Sequence, residues 1–157
     1  MAVCLINSHA NPDEERRVAD MIRTLAPSLY VTASVDVSPE MYEFERTSTA
    51  VVNSYVGPVV HDYVSQLVEK CRDRGVGADL MIMQSTGGLL EADVVVRQPV
   101  QIIESGPAAG VIAVQNLSRA LGFENVVAFD MGGTTAKRPC SRAVSRSSRP
   151  TTRSAAV

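Results

Sequence analysis

Phe129-Asp130-Met131-Gly132-Gly133-Thr134-Thr135 is the stretch of this 157-residue chain best equipped for chemistry. An apolar run over 126–129 delivers an aspartate into two glycines and two threonines. Backbone N–H groups of a Gly-Gly turn can approach an anion with no Cβ in the way. The threonine hydroxyls add donors, and Asp130 offers a hard oxygen suited to Mg²⁺, directly or through water. Strand, acid, glycine turn and hydroxyls are the parts of a nucleotide-phosphate site. The bland alternative for the same residues is a hairpin corner that binds nothing.

Three further groups stand out. Ser105-Gly106-Pro107-Ala108-Ala109-Gly110 presents almost no side chain over the first turn and a half of a helix. Such a face packs backbone-close against a neighbour or leaves a helix N-terminus open to an anion. Ser85-Thr86-Gly87-Gly88 follows an apolar strand, and the carboxyl end of a strand is where open α/β sheets bind ligands; a flexible loop between strand and helix is the competing reading. Glu45-Arg46 reads as a solvated ion pair near a helix start rather than as part of a cleft. His9 and His61 are isolated and no metal role is expected of them. No Gly-x-x-x-x-Gly-Lys-Ser/Thr or Cys-x-x-Cys occurs.

The elements that must position these groups follow from pattern. Residues 2–7 read as a buried strand. Asn11 is placed to cap a helix with Pro12 in its first position, acids at 13–15 and Glu14 set for a capping box. Val18, Met21, Ile22 and Leu25 then share one face and Pro27 ends the helix. Residues 29–33 form a second strand, which makes a parallel β-α-β pair. Residues 39–45 read as a turn or short helix. A long helix follows over 47–71, kinked at Gly57-Pro58 and closed with Gly75. Residues 79–84 are expected as a strand, 91–97 as a short helix, 101–104 as a short strand and 105–121 as a helix ended by Gly122.

Composition sets the class. The chain is 45% hydrophobic, 20% charged and only 4% aromatic with no Trp, so its core is aliphatic. No run of about 18 apolar residues marks a membrane span, and the N-terminus has no signal-peptide pattern. Cys4, Cys71 and Cys140 lack metal spacing and read as reduced, cytoplasmic thiols. The net charge of −2 conceals an asymmetry: 138–157 holds five Arg and no acid, leaving 10 basic against 17 acidic residues elsewhere. That acidic body has no basic face for nucleic acid.

Taken in order, residues 102–110 (Ile102-Ile103-Glu104-Ser105-Gly106-Pro107-Ala108-Ala109-Gly110), a helix, a strand and the Asp130 turn resemble the superfamily of actin, hexokinase and the seventy-kilodalton chaperones. Within it the chain is most similar to the hydantoinase A/5-oxoprolinase family. The resemblance extends over residues 2–137. It is carried by Asn7-Ser8-His9-Ala10-Asn11-Pro12 with Glu15-Arg16-Arg17, Glu45-Arg46-Thr47-Ser48-Thr49 with Asn53, Met83-Gln84-Ser85-Thr86-Gly87-Gly88, and Glu104 to Gly110. It implies an α/β fold, a partial actin-like (ribonuclease H-like) ATPase lobe. It further implies ATP-dependent opening of a cyclic amide such as hydantoin, N-methylhydantoin or 5-oxoproline, with Mg²⁺ as companion ion and a hydantoinase B-type subunit as partner. On that resemblance Asp130 positions Mg²⁺ or the attacking group, Gly132, Gly133, Thr134 and Thr135 cradle phosphate, and Ser105 and Gly106 sit near the interlobe hinge.

The chain departs from the family pattern at both ends. Family chains begin with another Asp-x-Gly-Gly-Thr hairpin, whereas Met1 here precedes a mid-lobe strand. Beyond Lys137 the family continues into a second lobe, whereas 138–157 reads as a disordered, frameshift-like tail. The expected organisation is therefore 1–98 as the later part of the family's N-terminal domain, 99–137 as the crossing helix and second phosphate hairpin, and 138–157 as the tail. A fragment inactive alone is expected. A non-enzymatic partner-binding fragment and a piece of a ketone carboxylase subunit stand as alternatives.

Overall fold

A computed structural model describes residues 1–131, 136–137 and 140–142. The chain divides into two compact units, Met1–Ala109 and Gly110–Val157.

In the first unit, β1 (Ala2–Val3) pairs in parallel with β2 (Thr32–Ala33), Ala2 opposite Thr32 and Val3 opposite Ala33. Helix α1 (Asp13–Leu25) joins them, as the β-α-β pattern requires. Its start follows the expected logic. Pro12 has helical dihedrals, Arg16 N–H donates to the Pro12 carbonyl at 3.0 Å, and the Asn11 side chain accepts from Asp13 N–H at 3.2 Å. The capping box does not form, because Glu14 instead pairs with Arg17 at 3.1 Å on the surface.

The face that α1 buries differs from the expected apolar stripe. Glu15 and Ala19 are fully buried and Ile22 packs on a core of Val3, Val31, Ala33 and Val35. Val18, Met21 and Leu25 face solvent, Leu25 at 83% exposure. The cause is Glu15, whose carboxylate is drawn inward by four hydrogen-bond donors and fixes the rotation of the helix.

A short helix, α2 (Ser34–Val37), leads to α3 (Glu43–Asp73), which has 31 residues and runs unbroken through Pro58. Its inner face is built from small and polar residues: Arg46, Ala50, Asn53, Gly57 and Val64 are buried. Gly57 is required there because a Cβ would overlap the Tyr30 ring. The Tyr30 hydroxyl continues past α3 to donate to the Val96 carbonyl at 2.7 Å, and burial pushes it above its ordinary pKa. Gly75, at φ +78°, ends α3 in the left-handed conformation that glycine tolerates.

Strands β3 (Met81–Met83) and β4 (Leu89–Glu91) form an antiparallel hairpin, so Ser85-Thr86-Gly87-Gly88 is its turn and not a loop between strand and helix. Helix α4 (Ala92–Arg97) follows. Residues expected as a strand over 101–104 instead continue a 3₁₀ turn, Pro99–Ile102. Pro99 has no N–H to give to a ladder, and Val100 N–H is taken by Asn53 Oδ1 at 3.1 Å. Helix α5 (Ser105–Leu121) begins in this unit.

The second unit takes up α5 at Gly110. Beyond Leu121, Phe123 N–H donates to the Ser118 carbonyl at 2.9 Å and closes the helix. An antiparallel ribbon follows. β5 (Asn125–Val127) pairs with β8 (Cys140–Arg142), and β6 (Asp130–Met131) pairs with β7 (Ala136–Lys137). Both pairings keep one register, from Asn125 opposite Arg142 to Met131 opposite Ala136. The span 138–157 was expected to be disordered; three of its residues, Cys140–Arg142, are strand, because β5 offers them a ladder. The remaining residues of that span lie outside the described ones. Among the described residues no helix is long and apolar enough to cross a membrane.

Candidate functional site

Of the candidate phosphate-binding residues, Asp130 lies on the antiparallel ribbon, and Ser105 and Gly106 lie at the start of α5. Asp130 is the first residue of β6, exposed, and lies opposite Lys137 on β7. The register then sets Met131 opposite Ala136, so the segment 132–135 connects two paired strands. Gly132, Gly133, Thr134 and Thr135 themselves lie outside the described residues. An exposed carboxylate at a strand end suits Mg²⁺, which is commonly held by one or two carboxylates with water and phosphate completing its shell. Among the described residues no group of three or more His, Cys, Asp or Glu is gathered to hold a metal.

Ser105 and Gly106 are the first two residues of α5. Gly106 and Gly110 are exposed, with open space where a Cβ would be, while Ala108 and Ala109 are half-buried. Just before this helix, two motifs that are separate in sequence become neighbours. Ser85 N–H donates to the Gln101 carbonyl at 2.7 Å, and Ser85 Oγ accepts from Glu104 N–H at 3.0 Å. The Ser85–Gly88 turn is therefore clamped onto the chain that leads into Ser105-Gly106. Its role in the fold is to fix where α5 begins.

A buried polar cluster lies deeper in the first unit, and sequence reasoning missed it. Glu15 Oε2 accepts from Leu5 N–H at 2.8 Å and from the Ser8 hydroxyl at 2.6 Å; Oε1 accepts from the Ser34 hydroxyl at 2.8 Å and Val35 N–H at 3.0 Å. Burial by itself raises the carboxyl pKa, but hydrogen bonds from Ser8, Leu5, Val35 and Ser34 outweigh it and hold the group below its usual value. Arg46 is also fully buried, with Nη1 3.8 Å from Glu15 Oε2. Arg46 Nη1 donates to Ser8 Oγ, and Nη2 donates to the Leu5 carbonyl at 2.8 Å. Arg46 is thus an interior cation paired with Glu15, and not half of a solvated pair with its exposed neighbour Glu45.

Asn53 makes the next link along the same face of α3. Its Nδ2 donates to Thr32 Oγ1 at 3.1 Å and to the Arg97 carbonyl at 3.2 Å, while Oδ1 accepts from Val100 N–H. A continuous polar seam along α3 therefore ties the 4–8 loop, α1, β2 and the 97–100 segment together. Two signals in the sequence point to it. Arg46, Ala50, Asn53 and Gly57 recur at helical spacing, and Glu15 falls on the face of Ala19 and Ile22.

The described residues form a mixed helix-and-strand chain with an acid-bearing antiparallel ribbon and a small-residue helix. Comparison with known proteins specifies it further. The hydantoinase/oxoprolinase family model matches residues 46–145, and the chain belongs to that family. An uncharacterized protein of Methanocaldococcus jannaschii is 38% identical over 137 residues, covering 87% of this chain and 20% of the relative. Caprolactamase subunit alpha of Pseudomonas jessenii is 34% identical over 135 residues, covering 86% and 19%. The nucleotide-free structure of acetone carboxylase superposes with a TM-score of 0.79 at 29% identity, over 88% of this chain and 20% of that one. The chain thus spans about a fifth of the length of the curated relatives it matches.

Proposed function

We propose that this chain is a portion of an ATP-dependent enzyme that opens cyclic amides of the hydantoin or 5-oxoproline kind, and that it does not turn over substrate alone. Its helices and strands belong to an actin-like ATPase lobe, with 99–137 forming the crossing helix and phosphate ribbon. Asp130 orients Mg²⁺ or the attacking group, and 132–135 supply backbone N–H groups and hydroxyls to the phosphates. Mg-ATP, when bound, supplies the phosphoryl group that activates a carbonyl oxygen. Ser105 and Gly106 lie at the hinge into α5. The cell's reducing cytoplasm suits the free thiols of Cys4 and Cys71. A hydantoinase B-type subunit is the partner in the complete enzyme, in keeping with relatives that are themselves subunits.

The observation that supports this reading is the register shared by the two ladders, with Asp130 opposite Lys137 on a strand that precedes Gly132-Gly133-Thr134-Thr135 in a chain of this family. A single ribbon provides one wall of a nucleotide site, and water exclusion around a transferring phosphoryl group needs an enclosure. Phosphate release from ATP by the purified chain, with 5-oxoproline, hydantoin or neither, tests the second half of the proposal. The expected result is no release above background; amide-dependent release contradicts inactivity. The acetone carboxylase match favours a second reading, a piece of a ketone carboxylase subunit. Stimulation of ATP hydrolysis by a ketone, in an enzyme reconstituted with the remaining family segments, distinguishes it from the amide reading.

A further inference from the structure

Between Val51 and Tyr63, the side that helix α3 turns to solvent is mainly apolar. Val52, Tyr55, Val59 and Tyr63 are 41%, 84%, 74% and 66% exposed and recur at i, i+3, i+7 and i+11, a single face of a helix. The opposite face, from Arg46 to Val64, is committed to the chain's own core. A run of exposed aromatic and aliphatic residues along one helix marks an interaction surface.

Charge and spacing identify the occupant. Glu45 and Lys70 cap the stripe at its two ends; both are exposed, and neither has an ion-pair partner among the described residues. They lie equally far along α3 from the Gly57–Pro58 junction, and so do Val52 and Tyr63. A two-fold axis through that junction sets Glu45 against Lys70 of the partner subunit, and Val52 against Tyr63 of the partner subunit, each twice. Parallel pairing in register instead stacks acid on acid and base on base. Isologous symmetry of this kind is the commonest form of self-association.

We propose that a second copy of this chain docks on this face, α3 packing antiparallel against α3. The aromatic side chains offer roughly 150–250 Å² each. The interface is therefore at the small end of specific ones, and the dimer dissociates at micromolar concentration, on the order of 10 µM.

Sedimentation velocity of the purified chain from about 1 to about 200 µM reads this directly. The mass is expected to rise from monomer to dimer across that range. Tyr55→Glu, on a solvent-facing position and with an unchanged circular dichroism spectrum, is expected to stay monomeric. Glu45→Lys and Lys70→Glu each place like charges at both ends and are expected to weaken self-association several-fold. An equimolar mixture of the two restores opposite charges at both ends and is expected to associate as tightly as the unsubstituted chain. A monomer throughout the range, a Tyr55→Glu dimer as tight as the original, or a mixture no tighter than its components overturns the proposal.

Discussion

Glu15 and Arg46 are each fully buried, and Arg46 Nη1 lies 3.8 Å from Glu15 Oε2 with the Ser8 hydroxyl bridging them. Removing one member of such a pair strands the other charge away from water, whereas the pair intact adds little net stability. Arg46→Met should therefore cost about 3–5 kcal/mol in urea unfolding. Glu15→Leu should cost as much or more, because Leu5 and Val35 N–H groups also lose their acceptor. The double variant should cost less than the two single costs combined, a coupling that a double-mutant cycle measures.

The hydrogen bonds that hold the Glu15 carboxyl below its ordinary pKa fix the sign of a pH dependence. A carboxyl whose folded value is depressed stabilises fully above the unfolded value, about 4.3 for glutamate. That contribution is lost as pH falls through the lower folded value. Unfolding midpoints should change little through Glu15 between about pH 7 and pH 5, then fall more steeply in the native chain than in Glu15→Gln below about pH 4. Equal slopes in the two chains would remove Glu15 as the cause.

Gly57 sets up an opposition between helix propensity and packing. Alanine in place of an interior helical glycine is ordinarily worth about 1 kcal/mol of stability. Here the new Cβ overlaps the Tyr30 ring, and overpacking costs about 1–3 kcal/mol. Gly57→Ala should destabilise the native chain by about 1 kcal/mol, yet stabilise a Tyr30→Ala background. Thermal unfolding of the four chains checks the change of sign.

Asn53→Ala leaves Val100 N–H without its side-chain acceptor, while the Arg97 carbonyl keeps the Tyr30 hydroxyl as a donor. The expected cost is about 1–3 kcal/mol. Amide exchange should accelerate at Val100, while the β3–β4 hairpin amides exchange as before. Uniform acceleration across the first unit would mean that Asn53 holds the whole unit and not this one seam.

Local signals carried much of the architecture. The Asn11-Pro12-acid sequence announced α1, the long apolar period announced α3, and the glycine-rich start and Gly122 bracketed α5. What could not be read locally was long-range. The inward turn of Glu15 depends on donors from Leu5, Ser34 and Val35, and no periodicity in α1 reports them. The strand expected at 101–104 failed because Gln101 N–H turns back to the Gln98 carbonyl and Ser85, distant in sequence, engages the Gln101 carbonyl and the Glu104 N–H. The Ser85–Gly88 turn was read as the carboxyl end of a strand leading to a helix because nothing in residues 79–91 distinguishes a hairpin return from a strand entering a helix. Arg46 was misjudged because its partner lies on α1, whereas its sequence neighbour Glu45 is exposed. Of the candidate phosphate residues, the ribbon's register locates Asp130 and the structure locates Ser105 and Gly106.

The most direct measurement of the central claim is a titration of Mg-ATP into the ¹⁵N-labelled chain, followed by amide chemical shifts. Weak binding, on the order of 1 mM or above, is expected to move the amides of Asp130 and of 132–135 first and furthest, and Asp130→Asn is expected to diminish the Mg²⁺-dependent part. Shifts that leave those amides unmoved while others respond, or no response at saturating Mg-ATP, would contradict the assignment of this ribbon to nucleotide phosphate.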